Sequence, residues 1–76
     1  MMRFDQELDV RNLACPLPIL RTKKSLASMA SGQLLKIVAT DQGSLQDMRT
    51  FANQTGNELL SSSEENGKFI FFIKKR

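Results

Sequence analysis

The feature that most constrains this chain is the junction Cys15-Pro16-Leu17-Pro18, where a strand-like alternation of polar and apolar residues ends and a helical spacing of apolar residues begins. Before it, polar and apolar residues alternate over 7–10, which is the period of a half-buried strand. After it, apolar residues recur at helical spacing. Pro16 suits the first position of a helix, because its φ is already helical and its missing N–H is no loss there. The junction therefore predicts a strand followed directly by a helix, with Cys15 at the helix N-cap.

A cysteine in this position is chemically distinctive, because a helix N-terminus favours negative charge and the thiolate is the nucleophilic form. Pro18 removes a second N–H from the first turn, which leaves the Leu17 N–H as the main donor to face the sulfur. We therefore expect the pKa of the Cys15 thiol to lie below its ordinary value of about 8.5. The alternative is that Cys15 is a small apolar filler, as free cysteines often are. The two prolines that follow Cys15 favour the reactive thiol, since a buried filler needs no rigid N-cap.

Composition limits the chemistry that Cys15 can perform. The chain has 76 residues, one cysteine and no histidine. One cysteine excludes an internal disulfide and a dithiol redox cycle, and the absence of histidine excludes Cys-His catalysis and leaves too few soft ligands for a zinc site. The length predicts a single domain over 1–76, of which residues 1–5 are expected to be loose. With no long apolar run and no signal-peptide pattern, we expect a cytoplasmic protein that does not contact membranes.

The net charge of +3 does not by itself indicate a nucleic-acid partner. The positive residues are dispersed, and three of them form the terminal Lys74-Lys75-Arg76. The chain contains neither an RNA-stacking strand motif nor a recognition helix, so direct nucleic-acid binding is not expected.

Periodicity along the chain predicts the element order β-α-β-α-β-β. A first helix over 16–30 is followed by Gly32 and by an apolar strand over 34–40. Ser44 is predicted to be the N-cap of a second helix that closes at Gly56, with Asp47 as a weak capping-box partner. The predicted core side of the first helix consists of Ile19, Thr22, Lys23, Leu26, Met29 and Ala30.

The last third predicts a hairpin. A polar strand over 58–64 and an apolar strand over 68–75 flank Asn66-Gly67, a strong two-residue turn signal. The side chains of the apolar strand alternate between the helix side (Phe69, Phe71, Ile73) and an opposite face (Ile70, Phe72). We expect that opposite face to be covered by an N-terminal residue such as Phe4 or by a partner.

Two further groups of residues are candidates for the site. In a parallel β-α-β unit the loops after both strands lie at one end of the sheet, so Asp41 should share a rim with Cys15. One interpretation of Asp41 is functional, namely that it orients a partner or handles a proton. The other is that its side chain satisfies the backbone of its own loop in an Asx-type turn, which the composition of 41–44 favours. Leu17, Arg21 and Lys24 form an outward stripe at helical spacing, either a docking surface around the thiol or an ordinary solvated face.

The run over 8–18, Leu-Asp-Val-Arg-Asn-Leu-Ala-Cys-Pro-Leu-Pro, resembles the Cys-Pro-x-Pro signature of the TusA/SirA family of small sulfur carriers. The likeness continues over 29–35, 39–44 and 54–60. Two departures stand out, since the family usually has Gly where this chain has Asn12 and Pro where it has Gln42. Asn tolerates the positive φ that Gly would supply, so the first departure should preserve the loop.

The resemblance implies an α/β two-layer sandwich, with two helices on one face of a mixed four-stranded sheet. It implies a sulfurtransferase-type carrier that holds sulfur as a persulfide on Cys15, with Pro16 and Pro18 as supporting motif residues and without cofactor or metal. The implied partners are a cysteine desulfurase or other sulfur donor and a downstream acceptor protein, in routes such as tRNA thiolation. The alternative from another class is a non-catalytic binding module, RNA-binding or regulatory, in which Cys15 is structural.

Overall fold

The computed structural model describes residues 4–14 and 16–76. Its elements, in chain order, are β1 (Gln6–Val10), α1 (Leu17–Ala27), β2 (Leu34–Ala39), α2 (Ser44–Thr55), β3 (Glu58–Glu65) and β4 (Lys68–Lys74). The predicted order β-α-β-α-β-β is confirmed. None of the helices in the described ranges is long and apolar enough to cross a membrane.

The four strands form one mixed sheet in the order β1-β2-β4-β3. β1 and β2 are parallel, and the β2–β4 and β4–β3 pairs are antiparallel. The apolar β4 therefore occupies an interior position, as its composition predicts, and the polar β3 lies at an edge. A register shift between Leu59 and Ser61 marks a bulge in β3.

The hydrophobic core lies between the sheet and the two helices. Every second side chain of the strands points into the core, and the helices contribute the side chains that face the sheet. Both helices therefore lie on one face of the sheet. The most buried members are Val10, Leu26, Leu35, Ile37, Ala39, Met48, Phe71 and Ile73. The predicted orientation of β4 is confirmed, since Phe71 and Ile73 are fully buried while Ile70 and Phe72 are only half-buried on the opposite face.

The hairpin forms at the predicted turn. Asn66 and Gly67 both have positive φ, at 51° and 79°, which is the conformation that two-residue hairpin loops favour. At the end of α2, Gly56 takes φ 79° and its N–H bonds to the Ala52 carbonyl, so the predicted closing glycine is also confirmed.

The boundaries of α1 differ from the prediction. The helix ends at Ala27 rather than Ala30, because both the N–H and the hydroxyl of Ser28 bond to the Ser25 carbonyl and tighten the last turn. Lys23 and Ala30 were assigned to the core side and are exposed instead, whereas Pro18 is buried. The α1 core stripe is therefore narrower than predicted and begins within the first turn.

The start of α2 is also corrected. Gly43, not Ser44, is the N-cap, and no side chain caps this end of the helix. The backbone turn at Asp41 explains the difference, because the Ser44 N–H bonds to the Asp41 carbonyl and the Asp47 N–H to the Gly43 carbonyl. Ser44 is consequently drawn into the core, where its hydroxyl has no hydrogen-bond partner among the described residues.

The N-terminal segment contacts the sheet from Phe4 onward. We expected residues 1–5 to be loose, but the Asp5 N–H bonds to the Leu34 carbonyl and the Leu34 N–H to an Asp5 carboxylate oxygen, both at 2.8 Å. The Phe4 ring lies 6.3 Å from the Phe72 ring, with the Lys36 ammonium 5.3 Å from its centroid. Of the two alternatives for this face, Phe4 therefore covers the Phe72 part of it, and residues 1–3 lie outside the described residues.

Candidate functional site

The loops that follow β1 and β2 form the candidate site. Val10 is opposite Ala39 in the parallel register, so the C-terminal ends of both strands lie at the same end of the sheet. A hydrogen bond of 2.8 Å from the Asn12 N–H to the Thr40 hydroxyl ties the two loops together. Cys15 itself lies outside the described residues, and its position in this site is therefore a prediction from its neighbours on either side.

Asn12 has φ 66°, in the left-handed region that most side chains avoid. The sequence-based expectation that Asn replaces Gly at a positive-φ position is confirmed. The left-handed residue turns the chain back across the end of the sheet, and the Leu13 N–H then bonds to the Val10 carbonyl at 3.3 Å. The segment that leads to Cys15 therefore starts from a compact turn.

An exposed ion pair holds the beginning of this loop. The Arg11 guanidinium makes two bonds to the Asp9 carboxylate, of 2.9 and 2.8 Å, and the Arg11 N–H adds a third of 3.0 Å. The side-chain hydrogen bond from Arg11 is the main cause that lowers the pKa of Asp9 to about 2. This pair was not predicted from the sequence, although an Asp two residues before an Arg is the spacing that an Asx-type turn requires.

The first turn of α1 corrects the predicted capping. Pro16 is the N-cap, so the regular helix starts one residue later than predicted. The late start lies at Pro16, whose φ of −98° and ψ of 14° fall outside the helical region, whereas Leu17 is helical even though it precedes a proline. The Leu17 N–H, expected to face the sulfur, bonds to the Ala14 carbonyl at 2.9 Å. The predicted lowering of the Cys15 pKa therefore rests on the positive end of the helix and not on this single donor.

The second proline of the motif has a structural role. Pro18 is buried, and its carbonyl accepts a hydrogen bond of 2.8 Å from the buried Thr22 hydroxyl one turn later. The same hydroxyl lies 4.0 Å from the Met48 sulfur of α2. Through Thr22, the first turn of α1 at Pro18 is thus connected to α2. This contact also fixes the point at which the loop before α1 ends.

The outward stripe of α1 is exposed as predicted. Leu17 is 45% exposed, and Arg21 and Lys24 are exposed one and two turns further on. Leu20, which sequence analysis assigned to neither face, is 54% exposed and is the most exposed large apolar side chain in the described chain. Its spacing of three residues from Leu17 could have identified it as a neighbour on the surface.

Asp41 lies at the start of the second loop. Its carboxylate accepts a hydrogen bond of 3.1 Å from the Gly43 N–H, two residues on, which is the Asx-type turn that the loop composition favours. The residue is half-buried beside the N-terminus of α2. The structure therefore gives Asp41 a local backbone role, and any contact with a partner is additional to it.

Within the described ranges, no cluster of three or more His, Cys, Asp or Glu side chains is arranged to hold a metal ion. What the site offers chemically is a helix N-terminus approached by a loop that is fixed at both ends, together with an exposed surface of apolar and cationic side chains.

Comparison with known proteins identifies the family. The sulfur carrier protein TusA of Allochromatium vinosum is 63% identical over 75 residues, which cover 99% of both chains. A putative sulfur carrier protein of Neisseria meningitidis serogroup A is 46% identical over 71 residues, 93% of this chain and 96% of that one. The crystal structure of a SirA-like protein from Desulfitobacterium hafniense shares the fold, with a TM-score of 0.82 at 24% identity over 92% of this chain and 96% of that one. Residues 6–75 match the sequence profile of the family described as sulfurtransferase TusA, and the chain belongs to that family.

Proposed function

We propose that this protein carries sulfur as a persulfide on Cys15, which it receives from a donor protein and passes to an acceptor protein. The observation that carries the proposal is the placement of the sole cysteine of the chain between a loop tied to the sheet end at Asn12 and a helix that starts at Leu17. Sulfur carriage in the related chains supports it.

The transfer is an exchange at sulfur that balances without an oxidant. The Cys15 thiolate attacks the outer sulfur of the donor persulfide, a new S–S bond forms at Cys15, and the donor cysteine leaves as a thiolate. Delivery to the acceptor repeats the step with Cys15 as the leaving thiolate. The chain supplies its own thiolate as the reagent, so the step requires neither a cofactor nor a metal.

The same proposal assigns the partners. A cysteine desulfurase is the expected donor, tRNA thiolation is one route that the acceptor could serve, and we place the exchange in the cytoplasm, where thiols stay reduced. Leu17 supplies an apolar contact beside the thiol, and Arg21 and Lys24 supply positive charge that attracts an acidic partner. Asp41 is the candidate contact on the second loop.

Intact-mass measurement tests sulfur uptake directly. After incubation with a cysteine desulfurase and cysteine, the wild-type protein should gain the mass of one sulfur that is lost on reduction. Cys15→Ser should fold normally and gain nothing. If wild type gains no sulfur from any desulfurase tested while binding RNA tightly, the proposal is wrong and the binding-module alternative is favoured.

Charge reversal tests docking. In Arg21→Glu/Lys24→Glu, single-turnover transfer from the donor should slow severalfold, and the wild-type rate should fall as salt is added. Lys74→Glu/Lys75→Glu makes the same change of charge at the other end of the sheet and should leave the rate nearly unchanged. Equal slowing by both double variants would show that only net charge matters.

A further inference from the structure

The two edges of the sheet are protected to different degrees. β3 carries a bulge between Leu59 and Ser61 and ends in two acidic residues. The bulge and the acidic residues each discourage pairing with another strand. β1 has neither a bulge nor a proline, and it keeps a regular register with β2 from Gln6 to Val10. Its outer side offers the backbone hydrogen-bonding groups of a regular edge strand.

A groove runs between this edge and α1. It is lined by Gln6, Leu8, Arg21, Lys24, Ser25 and Ser28. Leu8 is half-buried and gives the groove an apolar floor, whereas the two cations are exposed at its wall. The groove contains no acidic residue, and neither cation forms an ion pair within residues 4–14 and 16–76.

The opposite face of β1 has a different charge balance. Its two acidic side chains already have partners, since Glu7 lies 3.7 Å from the Lys36 ammonium and Asp9 is bound by Arg11. A strand added at this edge would therefore meet neutralised charge on the open face and uncompensated positive charge on the helix face. This asymmetry selects negative charge on one side of the incoming strand.

We propose that β1 is a docking edge for an extended segment of a partner protein, in which acidic side chains at alternate positions face Arg21 and Lys24. Main-chain hydrogen bonds to β1 supply the affinity and the two cations supply the selectivity, as in other cases of strand addition. Acidic side chains two residues apart in a strand are about 6.6 Å apart, and flexible Arg and Lys side chains three residues apart in α1 readily span that spacing. The proposal rests on the proposed function for the role of these two cations in partner docking, but the binding itself requires no sulfur on Cys15 and can be measured without transfer.

A second copy of this chain is a poor occupant of the same edge. Antiparallel pairing of two β1 strands about Leu8 would bring together the Arg21 and Lys24 side chains of the two copies on the helix face, where neither cation has an ion-pair partner among the described residues. Like charges brought together in this way are unfavourable. The charge on the helix face of this edge therefore favours a different chain.

The test is an NMR titration of the Cys15→Ser protein, in which sulfur chemistry is absent. The probe is a terminally blocked heptapeptide, Thr-Glu-Val-Glu-Val-Glu-Thr, compared with the same peptide carrying Gln in place of Glu. We expect cross-strand contacts to β1 and slower amide exchange over Gln6–Val10 with the acidic peptide. Affinity should fall roughly tenfold for the Gln peptide and for Arg21→Glu/Lys24→Glu, and should hold for Lys74→Glu/Lys75→Glu.

Several results would overturn the proposal. One is the absence of any peptide contact at β1 at millimolar concentration. Another is equal binding of the acidic and Gln peptides, and a third is contact at β3 instead of β1. Dimerisation of the protein alone with protection of Gln6–Val10 would show that a second copy is the occupant.

Discussion

The buried hydroxyl of Ser44 leads to a prediction about stability that runs against the usual effect of core substitutions. Ser44 is fully buried at the start of α2, and its Oγ has no hydrogen-bond partner within residues 4–14 and 16–76. A buried hydroxyl without a partner costs about 1–3 kcal/mol relative to its hydrated state. Ser44→Ala removes that cost and should stabilise the protein.

The magnitude follows from two contributions of the same sign and one that opposes them. Removing the oxygen recovers about 1–3 kcal/mol, and alanine has a higher helix propensity than serine by up to about 0.5 kcal/mol. The lost oxygen leaves a gap smaller than a methyl group, which costs less than about 1 kcal/mol. We expect a net gain of about 1–2 kcal/mol in the free energy of unfolding.

Thr22→Val provides a matched control. Thr22 is also fully buried, but its hydroxyl donates to the Pro18 carbonyl at 2.8 Å. Valine has nearly the same shape, so the substitution removes a satisfied hydroxyl, at a cost of about 1 kcal/mol. The two hydroxyl deletions should therefore change stability in opposite directions, although both residues are fully buried on a helix.

Urea unfolding followed by circular dichroism measures both changes, with the slope m as a check that the unfolding remains two-state. For a domain of this size, 1 kcal/mol corresponds to a shift of about 4–8 °C in Tm, so thermal melts should separate the variants clearly. If Ser44→Ala lowers Tm as Thr22→Val does, the Ser44 hydroxyl must have a partner in solution, such as a buried water, and the reasoning is refuted.

Three other predictions concern the loop before α1. Because Arg11 lowers the folded pKa of Asp9 to about 2, below the ordinary 3.8, the stabilisation from this pair should be present above pH 4 and be lost as the pH falls towards 2. Acid unfolding curves should show this loss of stability, and the Asp9→Asn variant should lack this pH dependence. At φ 66°, Asn12→Gly should be tolerated, whereas Asn12→Val should lose about 1–2 kcal/mol in urea unfolding; equal stabilities would argue against the left-handed conformation. The rate of Cys15 alkylation against pH should have its midpoint below about 8.5, and a midpoint at or above that value would mean that the helix end does not act on the thiol.

Sequence alone determined the features that depend on local sterics and periodicity. The alternation in β1 and β4, the helical spacing in α2 and the turn at Asn66-Gly67 specify their elements through the φ and ψ preferences of a few neighbouring residues. The positive φ at Asn12 was expected from the resemblance, because the family usually has Gly at this position and Asn is one of the few other residue types that tolerate such a φ. The resemblance carried by the Cys-Pro-x-Pro run then pointed to the family to which the chain belongs.

Tertiary structure decided whatever depends on which groups meet across the fold. The Leu17 N–H bonds to the Ala14 carbonyl, and Ser44 is buried without capping its helix, because its own N–H closes a backbone turn with the Asp41 carbonyl. The contact of Phe4 with Phe72 depends on strand order, as does the open edge at β1 beside α1. Periodicity states which side of an element is apolar, but only packing determines what lies against that side and which edge remains unpaired.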